Sequence, residues 1–455
     1  MAGGRKSKPP APTRPQTTLV LDNGAYTLKA GLVGDGNEID APVVIPNCIA
    51  RSGDKTFVGA DLDRCRDFRE MRFRRPVEKG FIVNWESQKE IWDHHFFAPD
   101  ALAFKCDPAD TRLVLTEPPN GLPALQTNCD QVVFEEYGFA SYYRGIGPVF
   151  NAYHDIQGLF QTPREVPTVS PAPAETLLVV DSGYSQTTVT PILRGQALHS
   201  AVRRLDIGGK FLTNYLTHLV SFRHVDVTKE THIVNEMKET ACYVSPDFKA
   251  DLEACWKGTR GERRPDYLSG AGVAKDYVLP DFQHRQRGIL LDYDPARHAK
   301  GRRVMDAADL AAAPGCTIDD IVTLRNERFV VPELIFQPSD ISMRQPGVAD
   351  LIQESLHQLP VGLWPGMLAN IVVVGGNTLF EGFIQRLQRE VVQRVPDDCV
   401  VRIARPSDPI VSTWRGAANM ARHANMEKLA VTKLEYEELG AALVARKFAA
   451  GINVP

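Results

Sequence analysis

The apolar run Thr18-Leu19-Val20-Leu21 ends in Asp22-Asn23-Gly24 and leads into a second strand-like segment from Tyr26 to Val33. Further along, Leu177-Leu178-Val179-Val180 ends in Asp181-Ser182-Gly183 and leads into Ser185 to Leu193 in the same way. Short apolar runs bounded by turn residues read as buried strands, and Asp, Asn and Gly tolerate the left-handed conformations that tight hairpins need. Each stretch therefore predicts a hairpin with a carboxylate at its turn, and each opens a long run of alternating strand and helix patterns. The repetition predicts a duplicated α/β architecture in which one loop from each half faces a common cleft. A third element fits that cleft. Ile371 to Val374 reads as a buried strand, Gly375-Gly376-Asn377-Thr378 lets the backbone approach a ligand, and Phe380 to Val395 has helical spacing. Gly-containing turns converge N–H groups on an anion, and a carboxylate can hold water on a bound cation, so the three elements predict a nucleotide site. Gly208-Gly209-Lys210 is followed by Phe211 and lacks the upstream glycine of a Walker loop, so it reads as a helix start.

The 455 residues exceed what one hydrophobic core organises. A composition of 43% hydrophobic and 24% charged residues excludes collagen, a coiled coil and wholesale disorder. With 52 Lys and Arg against 56 Asp and Glu, the net charge of −4 provides no global field for nucleic acid, so any such contact must be local. Two local clusters qualify. Arg5, Lys6, Lys8 and Arg14 lie in a proline-rich leader that reads as disordered, either a nuclear address, a phosphate-binding arm or a solvated tail. Arg64, Arg66, Arg69, Arg72, Arg74 and Arg75 face only Asp67 and Glu70, which fits a nucleosomal or acidic partner or a solvated face. The eight cysteines form no C-x-x-C pair, so reduced thiols are expected, and no apolar run is long enough to cross a membrane. His94-His95 follows Ile91-Trp92-Asp93 and reads as core packing rather than metal binding.

The chain resembles actin and the actin-related proteins from about Thr18 to Phe448. The motifs that carry the resemblance are Leu-Asp-Asn-Gly-Ala-Tyr-Thr-Leu-Lys-Ala-Gly (21 to 31), Lys-Gly-Phe-Ile-Val-Asn-Trp (79 to 85), Thr-Glu-Pro-Pro-Asn (116 to 120) and Val-Asp-Ser-Gly (180 to 183). They continue with Met-Lys-Glu-Thr-Ala-Cys-Tyr-Val (237 to 244), Asn-Glu-Arg-Phe-Val-Val-Pro-Glu (326 to 333), Val-Gly-Gly-Asn-Thr-Leu-Phe (374 to 380) and Trp-Arg-Gly-Ala (414 to 417). The resemblance implies an α/β, actin-like (duplicated ribonuclease-H-like) fold with two lobes around a nucleotide cleft. It implies a tail over 1–17, a first lobe over 18–175, a second over 176–420 with an insertion at about 283–320, and a segment 421–455 returning to the first lobe. Together with Ile-Pro-Asn-Cys (45 to 48), the motifs look most like a nuclear class within the family. That class serves a Swr-type chromatin remodelling complex, which places a Z-type histone variant into nucleosomes, alongside a remodeller ATPase subunit and a small zinc-containing subunit.

The resemblance carries a nucleotide site onto this sequence. Asp22, Gly24 and Lys29 match the first phosphate loop, Asp181 and Gly183 the second, and Lys238 and Glu239 the adenosine contacts. Gly375, Gly376, Leu379 and Phe380 match the elements flanking the base. The implied cofactor is ATP or ADP with magnesium, Asp22 and Asp181 reaching the ion through its bound waters. Departures fall on the hydrolytic chemistry. Ala25 and Tyr26 replace a hydroxyl residue and a glycine, Tyr184 and Ser185 replace an acidic residue and a glycine, Gly147 stands where actin positions water with glutamine, and Thr188 where its partner is histidine. Phosphoryl transfer relies on placement and electrostatics, so weak or absent ATP hydrolysis is expected. The resemblance implies a structural subunit, nuclear with a cytoplasmic pool, and the arginines crowded between Arg51 and Arg75, where actin has a loop that inserts into the next subunit, predict no filament. The competing reading is a cytoskeletal, filament-forming ATP-binding protein. Sugar kinases and chaperone ATPases share the architecture, but a kinase needs a carboxylate base that the sequence does not display.

The stretch from Gln283 to Asp320 is far longer than an ordinary connection and is read as an insertion. Its basic part (Arg285, Arg287, Arg297, Lys300, Arg302, Arg303), its apolar group (Ile289, Leu290, Leu291, Tyr293) and a short helical pattern near Met305 to Ala313 suggest a segment that orders on a partner. Arg285, Arg287, Ile289, Leu290, Leu291 and Tyr293 are the expected partner-binding residues.

Overall fold

The computed structural model describes residues 17–34, 40–160, 173–258, 268–295, 297–298, 311, 313, 316–317, 320–423 and 425–449. The basic leader lies outside the described residues, as do Lys300, Arg302, Arg303 and nearly all of the 305–313 pattern.

The two hairpins read from the sequence sit at the centres of two separate sheets. In the first, Thr17–Asn23 runs antiparallel to Thr27–Val33 and parallel to Thr111–Glu117. In the second, Thr176–Ser182 runs antiparallel to Thr187–Leu193 and parallel to Ile371–Val374. The same pairing thus occurs twice, and in both cases the parallel strand arrives after a long crossover, as parallel pairing requires. Both faces of each central strand are covered, which explains the continuous apolar runs. Leu19 and Leu21 enter a core with Trp92, Phe96 and Tyr142, while Val20 enters one with Phe150 and Trp414 on the opposite face. Likewise Leu178 and Val180 join the large core of the second lobe, and Leu177 and Val179 a smaller one with Ile156 and Val372.

The chain returns to the first lobe earlier than the boundary at 421 read from the sequence. Helix Ser412–Ala421 already lies on the first sheet, packing Trp414, Ala417 and Ala418 against Val20, Val33 and Val114. Its small residues allow the close approach: a Cβ at Gly416 would stand 2.1 Å from the Phe150 carbonyl oxygen. Val431–Thr432 then extends the first sheet beside Ser141–Ile146, and Tyr436 and Val444, on either side of a kink at Gly440 (φ +67°) in the terminal helical segment Lys433–Ala449, close its core.

In the 283–320 region most of the residues expected to bind a partner already have contacts within the chain. Ile289–Asp292 is a strand, paired with Lys275–Val278, which also pairs with Ile321–Leu324. Arg285 is buried, its guanidinium 3.4 Å from Asp281 and 3.8 Å from Asp320. Leu290 packs on the main core of the second lobe, while Ile289 and Leu291 cover Val278, Ala313 and Cys316. Tyr293 stacks on His298 with ring centroids 5.1 Å apart, and Arg297 is buried against the fully buried Asp276. Of the six residues expected to bind a partner, Arg287 alone is exposed. The aliphatic and aromatic anchors serve the chain's own packing.

His95 is fully buried, accepts the Ala60 N–H at Nε2 (2.9 Å), and is held neutral by burial, its pKa falling to about 4. It is a core histidine, as expected. No helix among the described residues is long and apolar enough to cross a membrane.

Candidate ligand-binding cleft

The turns of the two hairpins face each other across a cavity of about 460 Å³, a size typical of small-molecule sites. All eleven positions carried over for the nucleotide line it: Asp22, Gly24, Lys29, Asp181, Gly183, Lys238, Glu239, Gly375, Gly376, Leu379 and Phe380.

Strand register makes the two carboxylates unequal. Asp22 stands opposite Lys29 across its hairpin and Asp181 opposite Thr188 across the other. The Lys29 ammonium lies 3.2 Å from Asp22, whose other oxygen accepts the Thr116 hydroxyl at 2.7 Å. Asp181 has no cation across its own hairpin. Burial, then the charge of Asp22, pushes its pKa up to about 7 against the pull of Lys29. An acid raised in this way favours any bound cation that replaces its proton.

The remaining positions divide by what already occupies them. Lys238 is buried and donates to Gly209 O (3.3 Å), Thr213 Oγ1 (3.0 Å) and Asn235 Oδ1 (2.9 Å), and burial lowers its pKa to about 8. Its ammonium therefore braces the second lobe as well as facing the cavity. Glu239 is exposed and accepts from Asn235 at 2.8 Å. Gly375, at φ +92°, is needed for a backbone contact: a Cβ there would stand 2.3 Å from Ser182 O. The open glycine is Gly376, around which a Cβ would meet nothing within 4 Å. Phe380 is buried in the second lobe's core, and Leu379 forms an exposed lip.

The cavity wall includes groups to which the sequence reading gave no role at the site. Gln186 Oε1 is buried without a hydrogen-bond partner, an orphan that a ligand or water would satisfy. Thr116, Glu117, Ile410 and Thr413 also line it, brought from segments with no glycine-rich signature. Asn377, within the quoted Gly-Gly-Asn-Thr motif, ties the third element to the second hairpin by donating to Gly183 O at 2.8 Å. Among the described residues no cluster of three or more His, Cys, Asp or Glu side chains could hold a metal by itself. A magnesium ion here would rely on ligand oxygens and water in addition to Asp22 and Asp181. The paired carboxylates, the lysine, the open Gly376 and the orphaned Gln186 fit a magnesium–nucleotide ligand.

Two positions bear on hydrolysis. Gly147 lines the cavity, and a Cβ there would meet nothing closer than Thr413 Cγ2 at 3.5 Å, so packing does not demand glycine. Thr188 also lines the cavity and is 3% exposed.

The sequence pattern of the actin family, described as Actin, matches residues 13–449. The chain belongs to the actin family, and its mixed α/β structure has the two-lobed form of that fold. Within the family it is 62% identical to actin-related protein 6 of Neurospora crassa, over 99% of this chain and 98% of the relative. It is 34% identical to actin-related protein 6 of Drosophila melanogaster (93% and 97% covered) and 35% identical to that of Arabidopsis thaliana (94% and 99%).

One prediction arises from Asp181. Its folded pKa lies above the unfolded value, so the native state holds a proton that the unfolded chain has released. It therefore destabilises the ligand-free protein increasingly from about pH 4 to about pH 7, and constantly above. Asp181→Asn is expected to raise the melting temperature of ligand-free protein at pH 8, and the gain should vanish near pH 4. Melting curves across that range check it; a pH-independent difference would contradict the assignment.

Proposed function

We propose that this chain is a non-catalytic structural subunit of a nuclear chromatin remodelling complex of the Swr type, which exchanges nucleosomal histones for a Z-type variant and so regulates transcription. In this reading it scaffolds the remodeller ATPase subunit and a small zinc-containing subunit, with nucleosomes or histones as further partners and a cytoplasmic pool besides the nuclear one. The observation that carries the non-catalytic part is the cleft itself. It keeps carboxylates, lysine and glycines suited to magnesium with ATP or ADP, while Gly147 offers no side chain and Thr188 a hydroxyl in place of an imidazole, which supports weak hydrolysis. Nucleotide then acts as a structural ligand, and one that binds only the native form adds about 2.7 kcal/mol at a hundredfold excess over its Kd.

Gentle purification from nuclear extract, followed by identification of the co-purifying proteins, tests the assembly. A remodeller ATPase and a small zinc-containing protein are expected. Recovery with cytoskeletal filament proteins in their place would favour the competing reading.

Self-assembly gives a second test. Arg51 and Arg72 stand directly opposite each other on neighbouring strands, with the exposed Arg74 two residues on from Arg72. Like charges in register oppose stacking against a second copy of the same surface. No sedimentable filament is expected in salt and magnesium that polymerise actin. Regular polymers in electron micrographs would overturn this.

A further inference from the structure

The residues that depart from the actin pattern in the two turns touch each other across the cleft. Tyr26, from the first hairpin turn, and Tyr184, from the second, have ring centroids 4.8 Å apart. The Arg75 guanidinium lies 4.5 Å from the Tyr26 centroid and 5.1 Å from that of Tyr184, within cation–π range of both. Arg75 is itself fixed to the first lobe, donating to the Tyr26 and Asn47 carbonyls at 3.2 and 3.4 Å. From the second lobe, Asn235 on helix Thr231–Ala241 donates to the Tyr26 hydroxyl at 3.1 Å. Small residues at 26 and 184 would lose the ring contact, both cation–π contacts and the Asn235 hydrogen bond.

A second tier lies beside the first. Phe68, from the first lobe, stacks on His232 of the second with centroids 4.0 Å apart and planes 10° from parallel, and it also meets Phe282 at 6.0 Å. Phe73 reaches the same histidine at 6.3 Å. Phe282 is buried and held at φ +59°, a conformation uncommon for a bulky residue. The turn around it is fixed by Asp281, which accepts the N–H groups of Gln283, His284 and Arg285 at 2.8 to 2.9 Å. His232 is kept neutral by burial, then by Arg287 and Arg75, so it stacks as an uncharged ring. Backbone contact adds to this tier, the Glu70 N–H lying 3.3 Å from both Glu230 carboxylate oxygens.

We propose that these two aromatic tiers are a clasp that holds the lobes closed without any ligand in the cavity, and that clasp opening limits how fast a ligand enters or leaves. Ordinarily a cleft between lobes closes because the ligand contacts both sides, and the closed state is populated only as far as the ligand favours it. Here the aromatic contacts that bridge the lobes are side chain to side chain, made by the chain itself. Closure is then a property of the sequence, and the surface that spans both lobes stays constant whatever the cavity holds. This inference does not depend on which complex the chain joins.

The test uses the full chain stripped of ligand by chelation and gel filtration, compared with the same protein in magnesium and ADP. Small-angle scattering is expected to give the same radius of gyration for both. Tyr26→Ala/Tyr184→Ala is expected to expand when ligand-free, whereas Tyr26→Phe/Tyr184→Phe, which keeps the rings, remains compact. Should the double alanine variant lose its cooperative melt, Phe68→Ala in the second tier is read in its place. Ligand-free wild type as expanded as the open variant would overturn the clasp, as would alanine variants that remain as compact as wild type. Dissociation of a fluorescent ADP analogue is a separate readout, expected to be about tenfold faster in the open variant, the factor that corresponds to about 1.4 kcal/mol. Equal dissociation rates would overturn the gating half of the proposal. Failure of the analogue to bind would count against the nucleotide reading, while the scattering comparison would still decide the clasp.

Discussion

Replacing Trp414 with alanine is expected to cost about 3 to 5 kcal/mol of stability, the range for deleting a buried aromatic side chain. Trp414 is 1% exposed and packs on the first sheet in the core with Val20, Val114 and Phe150. Its indole lies over Gly31, where a Cβ would come within 2.6 Å of Cζ2, and its N–H donates to the Val20 carbonyl at 2.9 Å. The helix that carries it cannot slide inward to fill the gap, because Gly416 already approaches the Phe150 backbone as closely as a glycine allows. Removing the ring therefore leaves a cavity and a carbonyl without its indole donor, and both terms destabilise. The measurement is the urea midpoint of the first-lobe transition, expected to fall at unchanged slope. A loss below about 1 kcal/mol would mean that the sheet and helix relax together. Gly31→Ala should destabilise from the other side of the same contact, since the new methyl group must displace the indole.

That contact also marks how far the sequence could be read. The hairpins were legible because their signals are local: an apolar run covered on both faces, then Asp-Asn-Gly or Asp-Ser-Gly within the next residues. Ile371 to Val374 and the glycines after it were legible for the same reason, and the cavity collects all three. What the sequence withheld depends on distant partners. Nothing near Tyr26 announces Tyr184, Arg75 or Asn235, and nothing near Trp414 announces Gly31. In isolation, Tyr26 and Tyr184 read as losses, departures from a glycine and an acidic residue; in the structure the same rings bridge the lobes. Arg285, Ile289, Leu290 and Leu291 show the complementary gap. Their composition is that of a docking segment, but a strand edge was available on Lys275–Val278, and Asp281 and the buried Asp276 were available for Arg285 and Arg297. Composition reports that such residues need partners, and only topology reports that the chain supplies them.

If the cleft is the non-hydrolytic nucleotide site proposed above, placing two side chains in it should move it toward cleaving the nucleotide. Wild-type protein, free of remodeller ATPase, is expected to hydrolyse ATP more slowly than actin in a single turnover. Gly147→Gln combined with Thr188→His is expected to raise that rate by at least about tenfold, since a misplacement near 1 Å is itself worth about a hundredfold. The reasoning is steric first. At 147 a Cβ has only ordinary contacts, the nearest at 3.5 Å, so the first carbon of a side chain fits without moving backbone. At 188 the side chain lines the same cavity from the strand opposite Asp181, and an imidazole there would also give that isolated carboxylate a neighbour able to carry positive charge. The second effect has its own signature: a protonated imidazole at 188 should lower the Asp181 pKa and reduce the pH dependence described above. Single-turnover hydrolysis measured beside melting curves separates the two. A gain in rate with the altered pH profile supports the cleft as a binding site that lacks only water placement. Rapid hydrolysis by the wild type would show that the protein positions water by another group and would defeat the non-catalytic reading. An unchanged rate in a folded, nucleotide-bound double variant would place the obstacle in Tyr26 and Tyr184, where the next substitutions would be Tyr26→Gly and Tyr184→Asp.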